Sequence, residues 1–380
     1  MANLVLFNAA RKRSQRVQHL PMNFQTVRLL YTSVRTVHRF HGPCLKRTTL
    51  MLHAHLTTLN AVSLILDTFA DEGYARETLL QGSGISVAEM ARADIRITTH
   101  QEMRVCANAV SLRPDIGLQL GRRMHVSSYG ILGYALLTSA TLGDALRLAL
   151  AYPALLGTLF ELQLTVDEDA VWLSASNYGD EVQLHVFNTE LCLASLKVIC
   201  DDMLGFSLPL LGACFSYPAP EYQYRYDESF ACPVQFEHRQ NAFAFSHAWL
   251  EQPLPLADRI THRDMHERCR RQNTEFTGRQ AWLARIREVI TRQLRNTPSL
   301  SAVAQHMNCS ERTLRRHLHA NGSTYQTLLD ELRFEKAKQL LQEDRLPIHR
   351  IAEELGFSET ASFRHAFTRW SGVAPSHYRA

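Results

Sequence analysis

The chain has 380 residues, 46% of them apolar, which suggests two or three domains with enough material for packed cores. No stretch approaches the roughly 18 consecutive apolar residues of a membrane helix, so no membrane span is expected. The net charge of +4 is uneven: residues 1–50 hold nine Lys/Arg and no acid, residues 279–380 hold sixteen against ten acids, and the middle carries −11, a poor surface for a polyanion.

The first segment carries Arg11, Lys12, Arg13, Arg16, Arg28, Arg35, Arg39, Lys46 and Arg47. It resembles nothing downstream, and its composition only superficially suggests a transit peptide. Residues 1–50 are expected to be an extension from a start codon placed too far upstream, with Met22 or Met51 the true beginning. The alternative is a disordered basic arm adding non-specific affinity for nucleic acid.

From Thr57 to Phe69 a helical apolar pattern (Leu59, Val62, Leu66, Phe69) ends near Gly73, and helices continue through Met103 to Val110. A further helix opens near Gly130, and Thr141-x-x-Asp144 is a capping-box variant for the helix from Leu142 to Tyr152. Leu162, Leu164 and Val166 alternate, Asp167-Glu168-Asp169 turns, and Val171, Leu173 and Ala175 alternate back as a hairpin. A long helix runs from about Leu184 to Leu204 and stops at Gly205, while Ala213–Tyr217, Val234–Phe236 and Phe243–Phe245 are expected strands. Residues 51–255 thus read as an α+β domain suited to sensing or dimerisation. Tyr129, Tyr134 and Tyr152 are candidates to line a pocket, but a core or rim place is the expectation for each, so ligand residues stay unassigned.

Pro253 and Pro255 mark the exit from this domain, and residues 256–278 read as a linker helix, polar from Leu256 to Arg271 and ended by QNTEFTG near Gly278. His262, His266 and Cys269 share one helical face at a spacing compatible with Zn²⁺, but THRDMHERCRRQ is so polar that a solvated helix is the expectation. His53-x-His55 is a weaker pair. No metal or cofactor is expected, and without HExxH, GxSxG or a P-loop nothing points to catalysis. Trp282, Leu283, Ile286, Val289, Ile290 and Leu294 then open residues 279–380 with a separate helix ending before Pro298.

The last eighty residues hold two helix-turn-helix units. In the first, Leu300, Val303, Ala304 and Met307 form one apolar face, Asn308 supplies a left-handed turn, and Ser310 caps SERTLRRHLHAN. In the second, Ile348, Ile351, Ala352 and Leu355 form the face, Gly356 the turn, and Ser358 the expected cap of SETASFRHAFTRW. The two units repeat at 48 residues. Leu314 and Leu318 face inward while Arg312, Arg315, Arg316 and His319 form a donor-rich stripe; Phe363 and Phe367 face inward, leaving Thr360, Ala361, Arg364 and His365 outward. Arginine forks suit guanine edges and phosphates. One such stripe alone is more often a solvated face; two on repeated units point to DNA. The amphipathic helix marked by Tyr325, Leu328, Leu329, Leu332, Ala337, Leu340 and Leu341 would set the units to meet successive major grooves, about 34 Å apart.

ERTLRRHLHANGSTYQTLLDELRFEKAKQLL followed by IAEELGFSETASFRHAFTRWSGVAPSHYR resembles the AraC/XylS family of bacterial transcription regulators. The likeness rests on Ser310, Arg312, Leu314, Arg316, Ala352, Leu355, Gly356, Phe357, Phe363, Phe367, Gly372, Pro375 and Tyr378. It implies sequence-specific binding of double-stranded promoter DNA, with base contacts at Arg312, Arg315, Arg316, Thr360, Ala361, Arg364 and His365, and contact with RNA polymerase. Two departures are Pro347 where the family often has a Ser cap, and His365 where it often has Arg. GLQLGRR, YGILGYALLTSATLGDAL and RYDESFACPVQFEHRQNAFAFSHAWLEQPLP resemble the arabinose-binding-like N-terminal region of one branch, with the layout of ornithine-utilisation regulators. That implies a small-molecule effector, a homodimer, or both; an amino acid and a fatty acid stay open, neither following from the residues. The implied architecture is an α+β N-terminal domain plus an all-α C-terminal domain with two helix-turn-helix units, in a cytoplasmic activator.

Two other functions remain open. A DNA-repair alkyl acceptor can carry a similar DNA-binding module but needs a reactive Cys beside His or Arg. The eight cysteines, Cys44, Cys106, Cys192, Cys200, Cys214, Cys232, Cys269 and Cys309, are scattered and read as reduced core thiols. A ligand-independent DNA-bending protein would show little sequence selectivity.

Overall fold

The computed structural model describes residues 56–57, 60–90, 97–167, 170–178, 182–321, 323–343 and 346–379. The basic segment 1–50, the alternative starts Met22 and Met51, the His53-x-His55 pair and the turn residues Glu168 and Asp169 lie outside them.

The first strand pair, β1 (Leu56–Thr57) and β2 (Ile97–Thr98), accompanies helices α1 (Asn60–Asp71), α2 (Arg76–Leu80), α3 (Val87–Met90) and α4 (Thr99–Leu112). Their apolar faces enclose a core that includes Val62, Ile65, Leu66, Phe69, Val105 and Ala109. Helices α5 (Ile116–Arg123), α6 (Gly130–Leu137), α7 (Leu142–Ala151) and α8 (Pro153–Leu156) follow. The capping reading at α7 holds: Thr141 Oγ1 accepts from the Asp144 amide at 3.2 Å.

Strands β3 (Glu161–Val166) and β4 (Ala170–Ser176) form the expected hairpin, with Leu162 opposite Ala175, Leu164 opposite Leu173 and Val166 opposite Val171. After α9 (His185–Leu204) the chain adds β5 (Leu210–Cys214), α10 (Arg225–Phe230), β6 (Val234–Gln235) and β7 (Asn241–Ser246), giving sheet order β3-β4-β7-β5-β6. Strand β5 starts earlier than expected and ends at Cys214, so Phe215 and Tyr217 leave the strand and pack as rings on Tyr226 and Phe236 instead. Val171, Leu173, Phe243 and Phe245 pack with Leu193, Ile199 and Met203 of α9 in a second core.

Two glycines press α5 onto α9: a Cβ on Gly117 would lie 2.6 Å from Glu190 Oε2, and one on Gly121 2.6 Å from Ala194 Cβ. Glu190 is fully buried there, its Oε1 accepting from the Tyr226 hydroxyl at 2.5 Å. Burial raises its carboxyl from the ordinary 4.5 to about 7, while the hydrogen bond from Tyr226 and the neighbouring Tyr222 hydroxyl pull it back down. Between those values the folded chain holds a proton that the unfolded chain has lost. Stability therefore falls as pH rises through that window, by about 3 kcal/mol in all. Thermal melts should show a declining Tm from pH 5 to 7.5, and Glu190→Gln should flatten that decline; an equal slope in the variant would place the titration elsewhere.

The linker differs from the expectation. Helix α11 runs unbroken from Arg259 to Arg292, with Asp258 capping it by accepting from the Thr261 amide at 2.7 Å. It passes through Gly278, where a Cβ would meet nothing, so no separate helix opens at Trp282. Its first half is not a solvated rod either. His262 Nδ1 donates to the Ala135 carbonyl at 3.0 Å, His266 Nε2 lies 3.0 Å from the Tyr152 hydroxyl, and Cys269 is fully buried in the second core. Side chains that look polar in sequence thus dock α11 on α6 and α8. Its second half buries Leu283, Ile286 and Ile290 in a third core, with α12 (Leu300–His306), α13 (Glu311–Ala320), α14 (Tyr325–Gln342), α15 (Ile348–Glu354), α16 (Thr360–Ser371) and α17 (Pro375–Tyr378).

Candidate nucleic-acid interface

Each unit pairs a short inner helix with a projecting one. In the first, Ser299 and Ser310 cap α12 and α13, accepting from the Ala302 and Thr313 amides at 3.1 Å each. Val303 and Ala304 meet Leu314 and Leu318 in the core, and Asn308 takes φ +52° in the turn between them. The second repeats this at the same spacing, with Ile351, Ala352, Phe363 and Phe367 buried and Gly356 at φ +74°. Its caps are poorer. Pro347 precedes α15 without a side-chain cap bond, as its lack of a hydroxyl dictates. Ser358 is not the cap expected of it: α16 begins at Thr360 behind Glu359, which also makes no cap bond.

The seven candidate side chains lie on the projecting helices. Arg312, Arg315 and Arg316 are exposed on α13, Ala361, Arg364 and His365 are exposed on α16, and Thr360 is half-buried at its start. Arg315 lies 3.6 Å from Glu311, a loose exposed pair, and among the described residues Arg312, Arg316 and Arg364 carry no ion pair. Unneutralised guanidinium groups on two projecting helices suit a polyanion with base edges between its phosphates. Helix α14 has 18 residues, a length of about 27 Å.

Three further side chains support the two units from outside them. Arg333 of α14 donates to the Leu355 and Gly356 carbonyls at 2.8 and 3.1 Å and stacks on Phe357, which fixes the turn of the second unit. Arg287 of α11, nearly buried, bridges Glu331 at 3.0 Å and Glu335 at 3.1 Å on α14. Trp282 of α11 lies 4.9 Å from the His317 ring of α13. Only the apolar neighbours of these residues carry a periodic signal.

Residues 73–254 match the family described as the arabinose-binding domain of AraC transcription regulators, and residues 303–380 match a helix-turn-helix domain family. The ornithine utilization regulator of Pseudomonas aeruginosa is 33% identical over 86% of this chain and 97% of its own. The chain belongs to the AraC family of transcription regulators. A second relative, the HTH-type transcriptional regulator VqsM of the same organism, is 30% identical over 69% of this chain and 83% of its own. Among solved structures, the regulator CdpR from Pseudomonas aeruginosa covers 86% of this chain and 99% of its own at 24% identity and TM-score 0.42.

As an AraC-family member, the protein is a DNA-binding transcription regulator with a helix-turn-helix region and a ligand-binding type of N-terminal domain, and its relatives are regulators rather than enzymes. The alkyl-acceptor alternative lacks support on its own chemistry as well. Burial pushes the thiols of Cys192 and Cys269 up to about 11 and those of Cys200, Cys214 and Cys232 up to about 12, the opposite of an activated thiolate. Among the described residues no cluster of His, Cys, Asp and Glu could hold a metal ion, and no helix is long and apolar enough to cross a membrane. Of the three tyrosines considered for a pocket, Tyr134 is 62% exposed, Tyr152 is buried against α11, and Tyr129 packs against the second core.

Proposed function

We propose that residues 279–380 read promoter DNA with Arg312, Arg315 and Arg316 in one major groove and Thr360, Ala361, Arg364 and His365 in the next. Residues 51–255 then form the effector and dimerisation domain. The observation that carries this is the pairing of two equivalent helices, each with its apolar side in one core and its donor-bearing side exposed. Helix α11 is the transmitting element: its first half is anchored by His262, His266 and Cys269, its second half touches the first unit through Trp282 on His317, and the segment just after it touches the second through the Leu294 carbonyl beside Gly356. A small-molecule effector at the N-terminal domain changes how α11 holds the two readers, and promoter occupancy and contact with RNA polymerase follow in the cytoplasm. The active form is a homodimer.

Footprinting on fragments selected from the source genome tests this. Two protected major-groove segments about one helical turn apart are expected. Protection with no sequence preference would favour the DNA-bending reading. Arg316→Ala should weaken specific binding by ~1–3 kcal/mol with an unchanged Tm; equal loss on random DNA would make Arg316 a phosphate contact.

A further inference from the structure

A cleft of about 440 Å³ opens between α5 and α10, lined by Arg122, Arg123 and Arg225 with Gln119, Glu228 and Ser229. We propose that it binds a small molecule bearing two or more carboxylate or phosphate groups, and that this anion is the effector assumed in the proposed function, on which this inference rests.

The charge is the first argument. Three guanidinium groups and one carboxylate, Glu228, line the cleft, with Asp115 and Asp71 paired to Arg225 and Arg123 from outside its lining, in a stretch of chain, residues 51–278, that as a whole carries a net −11. A basic hollow in an acidic region repels a nucleic-acid chain, which would meet the surrounding acids, yet admits a compact anion that reaches only the hollow.

The second argument is how the arginines are held. Each is anchored through one nitrogen: Arg122 Nη1 to Glu228 Oε2 at 2.7 Å, Arg123 Nη1 to Thr68 Oγ1 at 2.7 Å, and Arg225 Nε to Asp115 Oδ2 at 2.9 Å. The same Arg123 nitrogen also lies 3.9 Å from Asp71 Oδ2, and the same Arg225 nitrogen 3.5 Å from the Tyr224 hydroxyl. A guanidinium has five N–H donors in a fixed plane, so these contacts at one nitrogen orient each group while leaving other donors unengaged among the described residues. Oriented but unsaturated guanidinium groups are what bidentate recognition of carboxylate or phosphate requires, at little ordering cost on binding. Glu228 is the competitor: an arriving anion takes its place on Arg122.

The cleft is also placed to act on α11. Helix α5 cannot slide on α9, because Gly117 and Gly121 leave no clearance. From α9, Asp202 accepts from the Val126 amide at 2.8 Å; the Val126 carbonyl lies where a Cβ on Gly133 of α6 would fall, and α6 holds His262 of α11. This is a path of contacts, and only a change in DNA binding tests whether it transmits.

Isothermal titration of the full chain with inorganic phosphate, pyrophosphate, succinate and citrate at constant ionic strength tests the proposal, with ornithine and arginine as positively charged controls. At least one of the four anions should bind saturably. Arg122→Gln with Arg123→Gln should weaken it by about tenfold or more, the loss of a bidentate contact, whereas Glu228→Gln should tighten it. Tightening cannot come from a damaged fold, which keeps the test sharp should the double variant unfold. Saturation by none of the four anions, preference for ornithine or arginine, or affinities that ignore both changes would overturn the site. Footprints taken with and without the bound anion separate the remaining questions. A footprint that the anion leaves unchanged overturns its effector role, while absence of any footprint alongside cleft binding overturns the regulatory reading instead.

Discussion

Gly356→Val is expected to destabilise the DNA-binding region by about 2–5 kcal/mol, from left-handed backbone strain together with forced overpacking. Gly356 sits at φ +74°, and a Cβ there would lie 2.5 Å from the Leu294 carbonyl oxygen and 2.7 Å from Thr297 Oγ1. Neither obstacle can swing away cheaply: one is backbone, and Thr297 Oγ1 already donates to the Leu294 carbonyl and accepts from Arg333. The same contact seats the segment just after α11 on the turn of the second unit, so binding to DNA should fall with stability. The control is Asn308→Gly at the equivalent turn of the first unit, which already adopts φ +52° and should change urea midpoints little. Equal midpoints for Gly356→Val and the parent chain would refute the steric argument.

Arg287→Ala should cost about 3–5 kcal/mol, the penalty for leaving buried charge unpaired. Its guanidinium, nearly buried, is the shared partner of Glu331 and Glu335 across the contact between α11 and α14. Burial already raises the carboxyl of Glu331, and Arg287 is what opposes that rise. Without Arg287, Glu331 binds a proton still more readily folded than unfolded, so the defect should shrink as pH falls. Adding Glu331→Gln and Glu335→Gln should recover much of the loss at neutral pH. A defect unaffected by pH and by those changes would mean that Arg287 acts through packing alone.

The parts of this fold that sequence made legible are those with a strict period. Val303-Ala304 and Ile351-Ala352 recur 48 residues apart because two copies of one unit must bury the same face, and Asn308 and Gly356 recur because each turn needs a left-handed residue. The hairpin was readable because Leu162, Leu164 and Val166 alternate against Val171, Leu173 and Ala175 in register. The linker was not. Its docking stripe consists of His262, His266 and Cys269, two of which dock by hydrogen bonding rather than by burial, and hydropathy is blind to that. Gly278 suggested a helix end because glycine costs about 1 kcal/mol in a helix interior, a cost offset here by packing on either side. Ser358 looked like a cap by analogy with Ser310, but the chain is extended at Glu359, φ −133°, and the helix starts beyond it. The arginine cleft joins Arg122 to Glu228 across 106 positions, a distance over which no local pattern exists. The outward positions of the seven candidate residues follow from helix periodicity and their base-reading roles from the family resemblance; six of them are exposed and Thr360 is half-buried.

The unbroken course of α11 makes the spacing between the two regions a matter of angular phase. Each residue inserted between Arg271 and Trp282 would advance the reading helices by about 1.5 Å and turn them by about 100° around the rod. A flexible tether would tolerate any length; this one tolerates whole turns, with about seven residues restoring the original orientation. Chimeras that join this N-terminal region to another reader must therefore be cut and fused in phase, and natural relatives that keep both docking faces should differ in this stretch by turns rather than by single residues.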